Sequence, residues 1–502
     1  MLNRPTFPQR CPNKTLWQTL PSILYIAFLA VLFSVYSTQS YANTKNNILL
    51  PDLGDASSGL VSPAQEYRLG QMWLRMYRSQ VRTSSDPLLH EYIENLLADL
   101  VQYSELKDHR LDLLVVPNPT INAFAVPGGV IGVHTGLFLY AGDEDQFASV
   151  LAHELAHLSQ RHYARSREKQ SNSSIPTMAG ILASLVLAAT AGGDAGMAAL
   201  TATQAAALDS QLRFSRQNEQ EADRIGMLTM VNAGRNPDAG AQMFERMLRE
   251  TRYRSRPPEF LLTHPVTESR VADARNRAQR YPKRQYNSNE EFYLMQVRAR
   301  LAHETNYSIA AKRFANELEG DTPSMLGSRY GLALSLTESG RYDDARRNIN
   351  LLLKEKPDHI AFHIAAAKLD AKEKKFDQAQ NRLQKQLQYS PQSHSLNIAL
   401  AEILMDAGRY AQAEITLKQH SQRRPKDEYT WYLLAEVHGL AGDILGLHQA
   451  RAEYFILNGI FDKARRQLEN ALKITGDDQY TKALIQQRLL DVARMIKEVD
   501  MR

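Results

Sequence analysis

Leu151-Ala152-His153-Glu154-Leu155-Ala156-His157 is the stretch on which the reading of this 502-residue chain turns. On a helix of ~3.6 residues per turn, two histidines four apart project about 40° from one another, so both imidazoles leave one face. Set side by side, they can bind a single Zn2+ through neutral ring nitrogens. Glu154 follows His153 directly, which puts its carboxylate beside the metal and not on it. From there it can take a proton from a zinc-bound water whose pKa the metal lowers to roughly 7. The helix itself is well signalled. Asp143, Glu144 and Asp145 suit its N-terminus, and Phe147, Val150, Leu151 and Leu158 form an apolar stripe. The bland alternative is a chance match on a buried helix.

A third ligand follows downstream. The spacing predicts a helix over 215–231, and within it Glu219 and Asp223 stand i, i+4 and share a face. Alone, such a pair reads as a solvated face. After an HExxH helix, across an apolar insertion, Glu219 reads as the carboxylate that completes a His2Glu site and leaves one position open. Asp223, one turn on, is spaced to accept the second N–H of a ligating histidine, fixing its tautomer. A three-histidine site would need Gly at 160 and His at 163. Gln160 and Tyr163 stand there instead, so His162 reads as a surface residue. Thr263-His264-Pro265 precedes another helix, with the proline expected just inside its start. His264 has three readings at this stage: hydrogen bonding to a tetrahedral intermediate, occupation of the open zinc position as an off-switch, or simple capping and packing. Arg270 reads as an oxyanion partner or a surface ion-pair member.

Upstream of the zinc helix, helical spacing marks 63–80 and 87–102, and Leu111–Val116 reads as a strand. Asn122–Gly129 and Val130–His134 read as two short strands around a Gly-Gly turn. An exposed edge there would take an extended peptide as an added strand, or else the hairpin is purely structural. Between the two metal-ligand helices, Met178–Ala191 is almost wholly apolar but too short to span a bilayer. It is expected as a helical hairpin by the active site, with peripheral membrane contact as the minority reading.

The first 42 residues read as a secretory signal peptide. A basic segment precedes the apolar run Ser22–Val35, and Ser40-Tyr41-Ala42 is a small-x-small cleavage site. That leader takes Arg4, Arg10, Lys14 and the single cysteine, Cys11, with it, so the formal charge of +5 falls to +2. Such a balance does not argue for nucleic acid, and a protein without thiols must rely on packing and metal.

Together, His153-Glu154-x-x-His157, Glu219-x-x-Ala222-Asp223, Asn122-Ala123-Phe124-Ala125-x-Pro127-Gly128-Gly129 and His264-Pro265 resemble the zinc metalloproteases related to the CAAX-prenyl endopeptidase and the heat-shock protease HtpX. The resemblance implies that His153, His157 and Glu219 bind one Zn2+ per chain and that Glu154 is the general base. It also implies that Asp223 supports the site and that His264 is a fourth, inhibitory ligand. With its leader and C-terminal repeats, the chain is most similar to periplasmic members of that family. These act on stalled outer-membrane β-barrel precursors beside the barrel-assembly machinery, with a chaperone-like role as well.

The C-terminal half is a repeat array. Ala311, Ala345, Ala379 and Ala413 recur every 34 residues, as do Pro323, Pro357, Pro391 and Pro425, and Ala299 through Ala435. Small residues where two helices cross, with proline after the second, are the tetratricopeptide pattern, whose solenoid binds extended peptides or proteins. Ala464 lies 51 residues after Ala413, so an additional helix is expected near Leu445–Leu457. The fold expected is mainly α: a zincin-type α+β protease domain with a small sheet over 43–280, then an α-solenoid over 281–502. The function expected is a periplasmic zinc endopeptidase. The competing reading is a non-proteolytic scaffold or chaperone with a structural zinc, in which Glu154 would have no task.

Overall fold

Proline, serine and aspartate set the first boundaries. In the computed structural model, which describes residues 61–170, 216–252, 258–286 and 289–500, Ser62 and Gln65 form a reciprocal capping box that opens α1 (Pro63–Gln80). Asp86 caps α2 (Pro87–Gln102) through Leu88 and Leu89, and Pro87 occupies the first helical turn where no N–H is missed. Both helices lie where the spacing predicts them. The leader, the lead-in to residue 60 and the apolar segment 178–191 fall outside the described residues.

The sheet has three strands, β1 (Asp112–Val116), β2 (Ala123–Val126) and β3 (Val130–His134), in the order β1-β3-β2. β3 pairs parallel with β1 and antiparallel with β2, in register Ala123 with Val133. The turn between β2 and β3 needs φ of +87° at Gly128 and +88° at Gly129, which glycine adopts without steric cost. β2 is therefore an edge of the sheet.

The short α3 (Gly136–Tyr140) leads into α4 (Glu144–Ser159), which carries the HExxH stretch. Asp143 caps α4 by accepting from the Gln146 N–H at 2.8 Å, and Glu144 and Asp145 lie in its first turn. Arg235 neutralises both acids at 2.8 and 3.1 Å. α4 ends where Arg161 turns to φ +49°, and α5 (His162–Gln170) follows. α6 (Arg216–Asn232) lies against α4 because Gly226 has no side chain. A Cβ there would stand 3.1 Å from the Ala152 carbonyl carbon and the His153 nitrogen. α7 (Ala239–Arg252), α8 (Glu259–Thr263) and α9 (Glu268–Ala278) complete this half. No described helix is long and apolar enough to cross a membrane.

From α10 (Glu290–Leu301) onward the chain is a series of paired helices. Ala333, Ala367 and Ala401 on the first helices, and Ala345, Ala379 and Ala413 on the second, are completely buried at the crossings. The additional helix is present at Ile444–Leu457, after which Ala464 is buried in Phe461–Ile474. The fold is thus mainly helical, with a small sheet and a tetratricopeptide array.

The array docks directly on the first half. Phe292 of α10 stacks 5.9 Å from Phe138. On α2, the Glu91 carboxylate accepts from the Ser395 hydroxyl at 2.6 Å and from the His394 and Ser395 backbone N–H groups at 3.2 and 3.1 Å, capping the repeat helix His394–Asp406 from outside. Arg78 and Glu428 pair at 2.9 Å, and Arg424 and Glu94 at 2.6 Å. Gly459, at φ +67°, passes so close to Arg75 that a Cβ would lie 2.6 Å from its carbonyl oxygen. Part of the array's surface is therefore committed to the first half and not free for a partner.

Asp86 joins the two halves a second time, receiving Arg298 of α10 at 2.7 Å. Burial works against the Asp86 charge, but Arg298 prevails and holds its pKa below the ordinary value. Its contribution is complete above about pH 4 and is lost as pH falls through the depressed folded value. Arg298→Met is expected to cost roughly 2–3 kcal/mol at pH 7, because it leaves Asp86 without its cation. The cost should shrink as pH falls below the ordinary aspartate range and Asp86 loses its charge, as read by chemical denaturation across that range.

Candidate metal centre

Four donors converge from three helical segments. His153 and His157 come from α4, Glu219 from the first turn of α6, and His264 is the C-cap of α8. All four are buried, and one ligand atom from each lies within 4.8 Å of the others. His153 Nε2 and His157 Nε2 are 3.0 Å apart. Glu219 reaches them at 3.5 Å with one oxygen each, and His264 Nδ1 stands 3.1 Å from Glu219 Oε1. Donors around a tetrahedral zinc at ~2.05 Å would lie about 3.3 Å apart, so these spacings bracket the value a metal needs.

The outer nitrogens explain why the inner ones face one another. Asp223 Oδ1 lies 3.0 Å from His153 Nδ1. His157 Nδ1 lies 2.9 Å from His162 Nδ1, and His162 Nε2 lies 3.2 Å from Glu221, which Arg165 pairs at 2.9 Å. A carboxylate can only accept, so His162 donates Nε2–H to Glu221 and accepts at Nδ1 from His157. His157 therefore keeps its lone pair on Nε2. Asp223 likewise draws the His153 proton to Nδ1. Two imidazole lone pairs are left aimed into one buried space, an arrangement that requires a cation between them.

The electrostatics agree. Burial works to keep His153 neutral, yet the hydrogen bonds and charges of Asp223 and Glu219 prevail and raise its pKa to about 9. Burial and the His153 charge push His157 well below its ordinary value. Burial also opposes the Glu219 charge, but His264 and His153 hold that carboxylate well below the usual range. The donors therefore fit a divalent cation.

Glu154 differs from them. Burial raises its pKa, against the pull of His264 and His153. Among the described residues its Oε1 has no hydrogen-bond partner, and it lies 3.5 Å from His264 Nε2. The Ala125 N–H of β2 is directed at the same carboxylate, so the sheet edge runs beside it.

Three sequence expectations are overturned here. His162 is fully buried and orients His157, so it is not a surface residue. Arg270 on α9 is buried too, donating to Asp223 at 2.7 and 2.8 Å and reaching Glu219 at 2.9 Å, so it is neither a surface ion pair nor free for an oxyanion. Neither residue belongs to a spaced motif, and only the packing of α5 and α9 on α6 brings them in. Pro265 also lies outside the next helix, whose N-cap is Thr267. Asp223 stands where the spacing placed it, one turn beyond Glu219 and against His153.

Residues 87–278 match Peptidase family M48 and residues 371–437 match a tetratricopeptide repeat. The chain is similar to the beta-barrel assembly-enhancing protease of Escherichia coli (strain K12), at 38% identity over 322 residues, which cover 64% of this chain and 66% of the relative. It is similar in the same way to the putative beta-barrel assembly-enhancing protease of Vibrio cholerae, at 39% identity over 62% of this chain and 65% of the relative. Over 36% of its length, and 50% of the relative's, it is 33% identical to the mitochondrial metalloendopeptidase OMA1 of Schizosaccharomyces pombe. The matched stretch spans just under two thirds of the bacterial relatives.

Arg270 is the cation that balances two buried carboxylates. Replacing it with methionine in metal-free protein is expected to lower stability by roughly 3–5 kcal/mol, the usual result of stripping a buried charge of its partner. Thermal melting of the variant against the parent measures this.

Proposed function

We propose that this chain is a periplasmic zinc metalloendopeptidase that removes stalled or misassembled outer-membrane β-barrel precursors and also assists barrel assembly as a chaperone-like factor. In this reading residues 1–42 are a signal peptide, 43–280 the protease domain and 281–502 the repeat domain that meets the barrel-assembly machinery. The observation that carries it is Glu154: a buried carboxylate with one oxygen unpartnered among the described residues, beside a ring of four candidate metal donors but outside it. A structural metal site has no use for such a group. The names of the bacterial relatives support barrel assembly as the setting.

His153, His157 and Glu219 would hold the zinc, with Asp223 orienting His153. When bound, zinc supplies Lewis-acid polarisation of the scissile carbonyl and acidifies water. The chain's own residues do the remainder. An extended peptide added to the free edge of β2 would be gripped through its backbone and laid alongside Glu154. Glu154 takes the proton of the attacking water at its carboxylate and returns it to the leaving amine. The raised pKa that burial imposes makes it a stronger base than an exposed glutamate. His264, packed among the donors and only 2% exposed, is read as the fourth ligand that holds the enzyme off at rest.

Glu154→Gln is expected to retain one zinc per chain by elemental analysis while slowing hydrolysis of an unfolded model substrate at least ~100-fold. Unchanged cleavage would remove Glu154 from the role of base. His264→Ala is expected to raise activity several-fold, on the order of the 1–3 kcal/mol typical of regulatory coupling. A fall in the same assay would assign His264 to the transition state instead.

A further inference from the structure

α8, which brings His264 to the donor cluster, is only five residues long. Phe260 is fully buried and stacks on His264 with centroids 4.8 Å apart, and its backbone N–H reaches the Ile121 carbonyl at 3.3 Å. Just past the helix, Arg270 donates to the Pro265 carbonyl at 2.8 Å. A further tie is at the first residue of the helix. Glu259 Oε2 accepts from Asn122 Nδ2 at 3.2 Å and lies 3.7 Å from His134 Nδ1.

The Glu259 carboxylate is poorly compensated where it rests. Among the described residues no lysine or arginine pairs with it, and burial raises its pKa despite the Asn122 hydrogen bond. Among the described residues, two buried polar atoms, Tyr77 Oη and His134 Nε2, have no hydrogen-bond partner. Burial, with the Glu259 charge added to it, pushes the Tyr77 hydroxyl above its ordinary range. A carboxylate held, among the described residues, by one neutral donor is a weak tether, and a weak tether is one that binding can break.

The other end of the tether is the informative one. Asn122 immediately precedes β2, and its own carbonyl accepts from the His134 N–H at 3.0 Å, so it is the root of the edge strand. A peptide added along that edge reaches Asn122 and competes for its side-chain amide. We propose that Glu259 and Asn122 are a positioning pair that holds His264 against the donor cluster and lets it go when an extended peptide occupies the β2 edge. The proposal rests on reading His264 as the off-switch. Neither residue touches the reacting atoms; both act through His264.

If the peptide must break the tether in order to bind productively, the tether weakens apparent affinity by the fraction of chains already released. Steady-state cleavage of an unstructured peptide by zinc-loaded full chain tests this. Glu259→Ala, and independently Asn122→Asp, which opposes two carboxylates, are expected to lower KM about fivefold at unchanged kcat. Glu259→Gln, whose side-chain carbonyl still accepts from Asn122, should stay close to the parent. None of the three should add to the effect of His264→Ala, and the zinc content should not change. An unchanged KM in both weakened variants, or an effect that persists in the His264→Ala background, overturns the pair. The two readings fail differently. If His264→Ala accelerates cleavage and Glu259→Ala is silent, the tether alone is wrong. If His264→Ala itself slows cleavage, the off-switch is wrong and the pair falls with it.

Discussion

Two imidazole nitrogens, 3.0 Å apart in a buried space and both with lone pairs directed inward, are the constraint around which this structure is arranged. Left alone, such a pair would turn outward or share a proton and lose its purpose. It stays because each ring is gripped from behind, His153 by Asp223 and His157 by His162. Those grips depend in turn on Arg270 and on Glu221 with Arg165, so charge is balanced several residues away from where a metal would bind. The same field acts differently on Glu154, whose pKa burial raises against the pull of His264 and His153. One helix thus presents two imidazoles and a carboxylate within two turns, and their different surroundings give them different chemistry.

The repeat array belongs to the same physical unit as the site. α2 packs its apolar face under the sheet and α4, and turns Asp86, Glu91 and Glu94 toward the repeats. Glu91 supplies a helix cap that the repeat sequence would otherwise have to provide through Ser393 alone. These contacts make α2 part of one packed body with the repeats and, behind it, with the helix that carries the paired histidines.

Local rules account for what could be read in advance. The HExxH helix, its cap at Asp143, the strands around Gly128-Gly129 and the 34-residue alanine spacing all depend on residues near one another in sequence, and each lies where it was expected. Glu219 was legible because i, i+4 spacing on a helix after an HExxH stretch leaves few other uses. His162 and Arg270 were misread for one reason: a lone histidine or arginine carries no periodicity, and exposure is the ordinary fate of such residues. Only the approach of α5 and α9 to α6, permitted where Gly226 lets α6 meet α4, withdraws them from solvent.

By itself, then, the sequence determined the residue types of the buried cluster, the small sheet and the repeating helical array, because spacing along a helix or strand dictates which side chains share a face. The tertiary structure alone decided that His264 reaches Glu219 across 45 residues of chain, that Arg270 is drawn inward, and that α2 is shared between the first half and the repeats. Those outcomes follow from burial and long-range charge balance. Both are properties of the assembled core, and no local window of residues contains them.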